Sequence, residues 1–217
     1  WKRLLDFLLA LTALLVLSPL LLLLTVAGAV AMRGNPFFAQ PRPGRGERIF
    51  RLIKFRTMSD RRDASGALLP DGERLNGYGR FLRKTSLDEL PELFNILVGQ
   101  MALVGPRPLL TAYLPLYSEE QHHRHDVRPG LTGYAQVHGR NAVPWEERFR
   151  MDVWYTQNIT FRLDCRILLD TVRVVFRHDG IGSGTSETME PFTGNRTAAV
   201  EVGAEKEESA QWAQGKD

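Results

Sequence analysis

The fold turns on Phe7–Met32, FLLALTALLVLSPLLLLLTVAGAVAM, a run of 26 residues with no charge. A membrane helix needs only about 18 apolar residues, so the run is long enough. Three readings fit it: a signal peptide, a spanning helix, and a segment that enters the bilayer and returns. Lys2-Arg3 before the run and Ala29-Val30-Ala31 near its end suit a signal peptide, but a signal core is only about 7–15 residues long. Basic residues flank both ends, Lys2 and Arg3 before and Arg33, Arg42, Arg45 and Arg48 after. Such residues favour the cytoplasmic side, so both ends read as cytoplasmic. Midway stand Ser18 and Pro19. Proline has no N–H, and its ring clashes with the carbonyl four residues back, here that of Leu15. The Ser18 hydroxyl is placed to satisfy the freed backbone. A helix broken at Ser18-Pro19 that returns to one face fits both features, while a kinked span fits the proline alone. These residues by themselves leave the two open.

Outside this run the chain looks ordinary. Its 217 residues suffice for one substantial domain, and 43% hydrophobic with 24% charged residues excludes wholesale disorder. The mean hydropathy of −0.22 conceals the apolar segment. Net charge is +3, yet Thr197–Asp217 holds five acidic residues against two lysines, which leaves about +6 on the rest. A basic body suits anionic partners: phosphates, nucleic acid or anionic lipid. Cys165 is the single cysteine, which excludes an internal disulfide or a multi-cysteine zinc site and fits a reducing, cytosol-facing location.

Coarse patterning divides the remainder. Residues 35–47, rich in Pro, Gly and Arg, read as an irregular connector, and Ile49–Met58 as extended chain or a short strand pair. Ser86–Leu97 has helical spacing with Ser86 as N-cap. Leu116–Asp126 reads as a polar surface helix, Arg128–Asn141 as loop and turn, and 145–158 and 162–177 as helices. In the last, Arg162, Arg166, Arg173 and Arg177 form one stripe. It fits either a helix lying on anionic headgroups or the solvated face of a core helix. Beyond about Gly180 the composition predicts an extended or disordered tail.

Candidate chemistry concentrates in Arg83-Lys-Thr-Ser-Leu-Asp-Glu-Leu-Pro-Glu92. Asp88 and Glu89 suit a helix start on dipole grounds alone. Neighbours on a helix diverge by about 100°, so the two carboxylates would divide labour, one toward phosphorus and one toward a metal. Lys54 and Arg56 share one side of an extended chain, and Arg107 stands between Pro106 and Pro108, a stiff setting for a guanidinium fork. His122, His123 and His125 with Asp126 read as surface residues rather than metal ligands. No recognition-helix, zinc-finger or RNP pattern appears, which disfavours nucleic acid. A membrane-anchored scaffold without turnover is the rival from another class.

In this order the islands resemble the small monotopic phosphoglycosyl transferases of bacteria, from Lys2 to about Gly180. The resemblance rests on Ser18-Pro19, Lys54-Phe-Arg-Thr-Met58, Thr85-Ser-Leu-Asp-Glu-Leu90, Leu93-Phe-Asn95, Val104-Gly-Pro-Arg-Pro108, Arg128-Pro-Gly-Leu-Thr-Gly133, Ala135-Gln136, Gly139-Arg-Asn141 and Asp152-Val-Trp-Tyr155. The spacing and Leu110–Tyr117 look especially like the members that move diacetylbacillosamine phosphate. The pattern departs at Val98-Gly99-Gln100-Met101, where Lys-Gly-Asp-Met is common, at Tyr134 where Trp is common, and at His138 where Asn is common.

The resemblance implies transfer of a sugar phosphate from a UDP-sugar, an N-acetylated amino sugar, to polyprenyl (undecaprenyl) phosphate with release of UMP. It implies Asp88 as nucleophile, forming an aspartyl-phosphosugar, and Glu89 as ligand to Mg2+. Arg83 and Arg107 would hold phosphate oxygens, while Lys54, Gln136, Arg140 and Asp152 match family positions. The fold implied is mostly α with short β elements. Residues 1–33 would form the re-entrant helix, 34–180 a compact membrane-associated cytoplasmic domain with amphipathic helices, and 181–217 the tail. The location implied is the cytoplasmic face of a bacterial inner membrane.

Overall fold

The structure is a computed structural model that describes residues 1–139, 143–177 and 191–194. In chain order the elements are α1 (Lys2–Met32), β1 (Phe37–Pro43), β2 (Ile49–Phe55), α2 (Asp71–Arg74), α3 (Gly77–Thr85), α4 (Glu92–Leu97), β3 (Ala102–Val104), α5 (Glu119–His122), β4 (Gly130–Thr132), α6 (Tyr134–His138), α7 (Trp145–Gln157) and α8 (Phe161–Arg177). Helices dominate and the strands are short, as the sequence predicts.

The apolar run is one uninterrupted helix rather than a helix broken at Ser18-Pro19. The reason is local. Pro19 deprives the Leu15 carbonyl of its helical donor, and the Ser18 hydroxyl donates to that carbonyl at 2.8 Å. Helix α1 is long and apolar enough to cross a membrane. Both of its halves nonetheless pack on the same body. Near its start, Arg3 donates to the Ile96 and Leu97 carbonyls at 2.6 and 2.7 Å, supplying donors to the end of α4. Lys2 pairs with Asp164 at 2.6 Å, and Asp6 accepts from the Leu103 N–H at 3.1 Å. Ala10 and Leu14 join a core with Phe50, Leu52, Leu93, Ile96 and Met101. In the second half, Leu24 packs with Phe55 and Leu82. The Tyr78 hydroxyl donates to the Leu24 carbonyl, and the Asn76 amide to that of Ala31. The opposite face leaves Leu15, Val16, Leu22, Leu23, Val26 and Val30 exposed.

The connector 35–47 contains a strand that the sequence reading missed, because prolines at 41 and 43 argue against one. β1 pairs antiparallel with β2 over Phe37↔Phe55 to Pro43↔Ile49 in a two-stranded sheet, where every strand is an edge and tolerates proline. Ser86–Leu97 is likewise not a single helix. A 3-10 turn at Leu87–Glu89 precedes α4, and Pro91, which has no N–H to give, separates the two. Ser86 adopts a left-handed φ of 55° and makes no side-chain cap.

Residues 128–141 are more ordered than loop and turn. β4 pairs in parallel with β3, and α6 follows. Gly130 permits the close approach, since a Cβ there would stand 2.1 Å from the Gly105 nitrogen. Gly79 does the same for α3, where a Cβ would meet the Thr57 carbonyl oxygen at 1.9 Å. Helices α7 and α8 fall where the periodicity places them. Of the tail, 181–190 and 195–217 lie outside the described residues, whereas Pro191–Gly194 are described. Phe192 is buried among Tyr113, Tyr117, Trp145 and Phe149, and its N–H donates to the Tyr113 hydroxyl at 3.2 Å.

Candidate active site

The 3-10 turn Leu87–Glu89 delivers Asp88 and Glu89 next to β2, α4 and the Val104–Pro108 segment. Asn95 fixes this arrangement from below. Its carbonyl accepts from the Ile53 N–H at 3.1 Å, and its amide donates to the Arg51 carbonyl and to Gln100 at 2.8 and 2.7 Å. By accepting this bond, Gln100 buttresses Asn95. With β2 held against α4, Lys54 reaches two carboxylates, Glu89 at 2.8 Å and Glu92 at 3.0 Å. Arg107 donates to the same Glu89 oxygen at 2.5 Å.

Two adjacent carboxylates thus have opposite environments. Burial pushes Glu89 upward, but Arg107 and Lys54 outweigh it and hold the group at about 2, so it stays ionised. Asp88 makes no side-chain ion pair among the described residues. Burial raises its pKa, and the charge of Glu89 adds to the rise against the weaker pull of Lys54 and Arg107. Glu92, which the sequence reading passed over, is buried and pushed up to about 7 by burial, despite its contact with Lys54.

A cavity of about 590 Å³ opens beside the cluster. Glu89, Arg107, Arg124, Gln136, Arg148 and Asp152 bring its polar groups, and Leu87, Leu103, Leu131 and Val174 its apolar wall. Asp88 is flanked by two lining residues, Leu87 and Glu89, but is not itself in the wall. The Gln136 side chain donates to the Leu131 carbonyl at 3.2 Å, while its oxygen is buried with no hydrogen-bond partner among the described residues. Arg83 donates to the Thr57 hydroxyl at 3.1 Å, at the edge of the cluster. Arg140 lies outside the described residues.

Asp152 faces the cavity as half of a buried ion pair. Arg124 holds it at 2.7 Å, donates to the Arg107 carbonyl at 2.8 Å, and lies over the rings of Tyr117 and Phe149. Arg124 and His125 correct the reading of 116–126 as a polar surface helix. The segment is the one-turn α5, with a capping box from Ser118 and Gln121, followed by a 3-10 turn that turns both residues inward. Arg124 was hidden among histidines, and nothing in its local sequence marks it as buried.

Carboxylate oxygens are the donors that magnesium takes. Glu89, held ionised at the cavity wall, offers oxygens of that kind, with Arg107 and Lys54 both donating to its Oε1.

A long apolar helix packed on a basic body, with Glu89, Arg107, Arg124 and Asp152 around one cavity, suits membrane association and a site for anionic groups. The sequence profile described as bacterial sugar transferase matches residues 1–178, and the chain belongs to that family. It is 52% identical to the uncharacterized sugar transferase EpsL of Bacillus subtilis, over 89% of this chain and 96% of that protein. It is 37% identical to an undecaprenyl-phosphate galactose phosphotransferase of Salmonella typhimurium, over 82% of this chain and 41% of the relative. An Aeromonas hydrophila UDP-N-acetylgalactosamine-undecaprenyl-phosphate N-acetylgalactosaminephosphotransferase is 38% identical, over 80% and 43% respectively. The chain therefore spans less than half the length of these two functionally named relatives.

Proposed function

We propose that the protein transfers a sugar phosphate from a UDP-sugar to polyprenyl phosphate, releasing UMP and starting the assembly of a glycoconjugate. The observation that carries this reading is the electrostatic split between Asp88 and Glu89. Neighbouring carboxylates with divergent pKa values mark divided roles. Asp88, half-buried and without a cationic partner among the described residues, has its lone pairs available for attack. Its oxygen bonds to the sugar-linked phosphorus, and the bond from that phosphorus to the UMP oxygen breaks. An oxygen of polyprenyl phosphate then attacks the same phosphorus, and the aspartyl–phosphorus bond breaks to regenerate Asp88. Covalent catalysis of this kind splits one two-substrate encounter into two steps.

Glu89 would hold Mg2+, which when bound supplies charge neutralisation to the diphosphate. Arg107, fixed by Glu89 and by the Arg124 contact to its backbone, presents a guanidinium to phosphate oxygens, with Arg83 beside it. Lys54 keeps Glu89 ionised. Asp152 positions Arg124 rather than meeting substrate. The unpartnered Gln136 oxygen is a buried acceptor suited to a hydroxyl or N–H of the sugar or uracil. Arg140 is placed with the phosphate-binding set on sequence grounds.

The membrane reading is monotopic, on the cytoplasmic face of a bacterial inner membrane. It draws support from the attachment of both halves of α1 to one body, and from basic residues at both its ends. Exposed Phe161, Leu169 and Val172 accompany Arg162, Arg166 and Arg173 on α8, a surface suited to headgroups and acyl chains. The donor sugar we assign as an N-acetylated amino sugar, diacetylbacillosamine among the candidates, which the Aeromonas relative's name supports.

The test is UMP release from a panel of UDP-sugars with magnesium and undecaprenyl phosphate. UDP-N-acetylated amino sugars are expected to react fastest. Faster turnover of UDP-galactose or UDP-glucose would overturn the sugar, and no turnover with any donor would overturn the activity. Asp88→Asn is expected to lower turnover by at least about 1000-fold and to abolish a trappable phosphosugar adduct. Full activity in that variant would remove Asp88 from the nucleophile role.

A further inference from the structure

At the far end of the β1–β2 hairpin, its turn meets the segment that begins with α5, and three possible metal ligands converge there. Glu47, His122 and His125 each offer one ligand atom, and these atoms lie within 4.8 Å of one another. His122 Nδ1 is hydrogen-bonded to Glu47 Oε1, and His125 Nδ1 stands 3.5 Å from the same oxygen. None of the three lines the catalytic cavity.

His125 is the group that asks for an explanation. It is 5% exposed, and neither ring nitrogen makes a hydrogen bond among the described residues. Buried imidazole nitrogens ordinarily find partners, since leaving them unpaired forfeits their hydration for nothing. Glu47 contributes a separate peculiarity: it holds a left-handed φ of 60°, which a residue with a side chain adopts at a cost. Its carboxylate faces both histidines. Tyr117 packs against both imidazoles, with ring centroids 5.7 and 5.6 Å away, and limits their reorientation.

We propose that Glu47, His122 and His125 form a zinc-binding site that clasps the β1–β2 turn to the α5 segment. Two imidazole nitrogens and one carboxylate oxygen match the ligand preferences of Zn2+, whereas Mg2+ takes oxygen. The His-x-x-His spacing over a helical turn puts both rings on one side, and Glu47 closes the set from the hairpin. A fourth position falls to water. The same segment carries Arg124, which braces Asp152 and the Arg107 backbone, so zinc here would stiffen the support behind Arg107 without touching substrate.

The experiment uses the full chain in detergent or nanodiscs, stripped with chelator and then titrated with Zn2+ alone. Bound metal is counted after dialysis, and Co2+ substitution is followed by its visible ligand-field bands. One retained zinc per chain is expected. His122→Ala and Glu47→Gln, both at partly exposed positions, should each weaken binding by at least about tenfold and remove the Co2+ bands. Asp88→Asn should bind zinc like the wild type, which separates this site from the catalytic carboxylates. No retained zinc, equal binding in His122→Ala and Glu47→Gln, or loss of binding in Asp88→Asn would each overturn the proposal.

Discussion

At the scale of single residues, the acidic cluster is governed by which carboxylate receives the cations. Lys54 and Arg107 both converge on Glu89, and Lys54 alone touches Glu92. Glu92 therefore bears the cost of burial with one shared partner, and its pKa rises from 4.5 to about 7. A group whose folded pKa is raised contributes its stability in full below the unfolded pKa, and loses it as pH rises through the folded value. The wild type is thus expected to lose up to about 3 kcal/mol between pH 4.5 and 7 from this residue. Glu92→Gln, which is neutral throughout, removes that slope. Denaturant unfolding of both proteins at pH 5 and pH 8 checks it. An unchanged slope in the variant would mean that another group carries the pH dependence. Asp88, Glu89 and Arg107 could be singled out in the sequence because their islands resemble a family pattern, and the fold brings the three together. Glu92 and Arg124 were not, since their importance lies in which distant side chain they meet, Lys54 or Asp152, and no local spacing encodes that.

At the scale of elements, long periodic helices were readable and short elements were not. Helices α7 and α8 bury a face along a dozen residues or more, so apolar spacing announces them. β1 carries two prolines and pairs on one side only, and β4 has three residues, so local propensity says little. The segment 116–126 was misjudged because polar residues outnumber apolar ones there, although its arginine forms a buried ion pair. The Pro191–Gly194 segment teaches the same lesson. Its surroundings in sequence read as tail, yet Phe192 joins Tyr113, Tyr117, Trp145 and Phe149 in a cluster of five aromatic side chains, two of them on the helix that carries Asp152. Truncating a buried phenylalanine typically costs about 3–5 kcal/mol. Phe192→Ala is expected to lower the unfolding free energy by about 3 kcal/mol, measured by denaturant titration. A loss below about 0.5 kcal/mol would show that this segment detaches before the body unfolds.

At the scale of the whole molecule, the question is where α1 places its two ends. Thirty-one residues at about 1.5 Å each give a straight helix of roughly 46 Å, ample for a hydrocarbon core of about 30 Å. A span would carry one end to the far side of that core. The contacts of α1 oppose this, because Lys2, Arg3 and Asp6 at one end and Leu24 and Ala31 at the other bind the same body. Opposite-side placement would break either the Arg3 bonds to α4 or the Tyr78 and Asn76 bonds. Meanwhile the outward face of α1, with Leu15, Val16, Leu22 and Leu23 exposed, needs an apolar solvent. The proposed monotopic placement meets both demands, with the outer face of the helix in lipid and its inner face on the body. The measurement is labelling of single cysteines at residues 2 and 45 in a Cys165→Ser background, with an impermeant maleimide applied to sealed membrane vesicles of either orientation. Both positions are expected to label from the cytoplasmic side only. Labelling of residue 2 from the opposite side would establish a span, and would require the α1 contacts with Asp164 and α4 to form only outside the membrane.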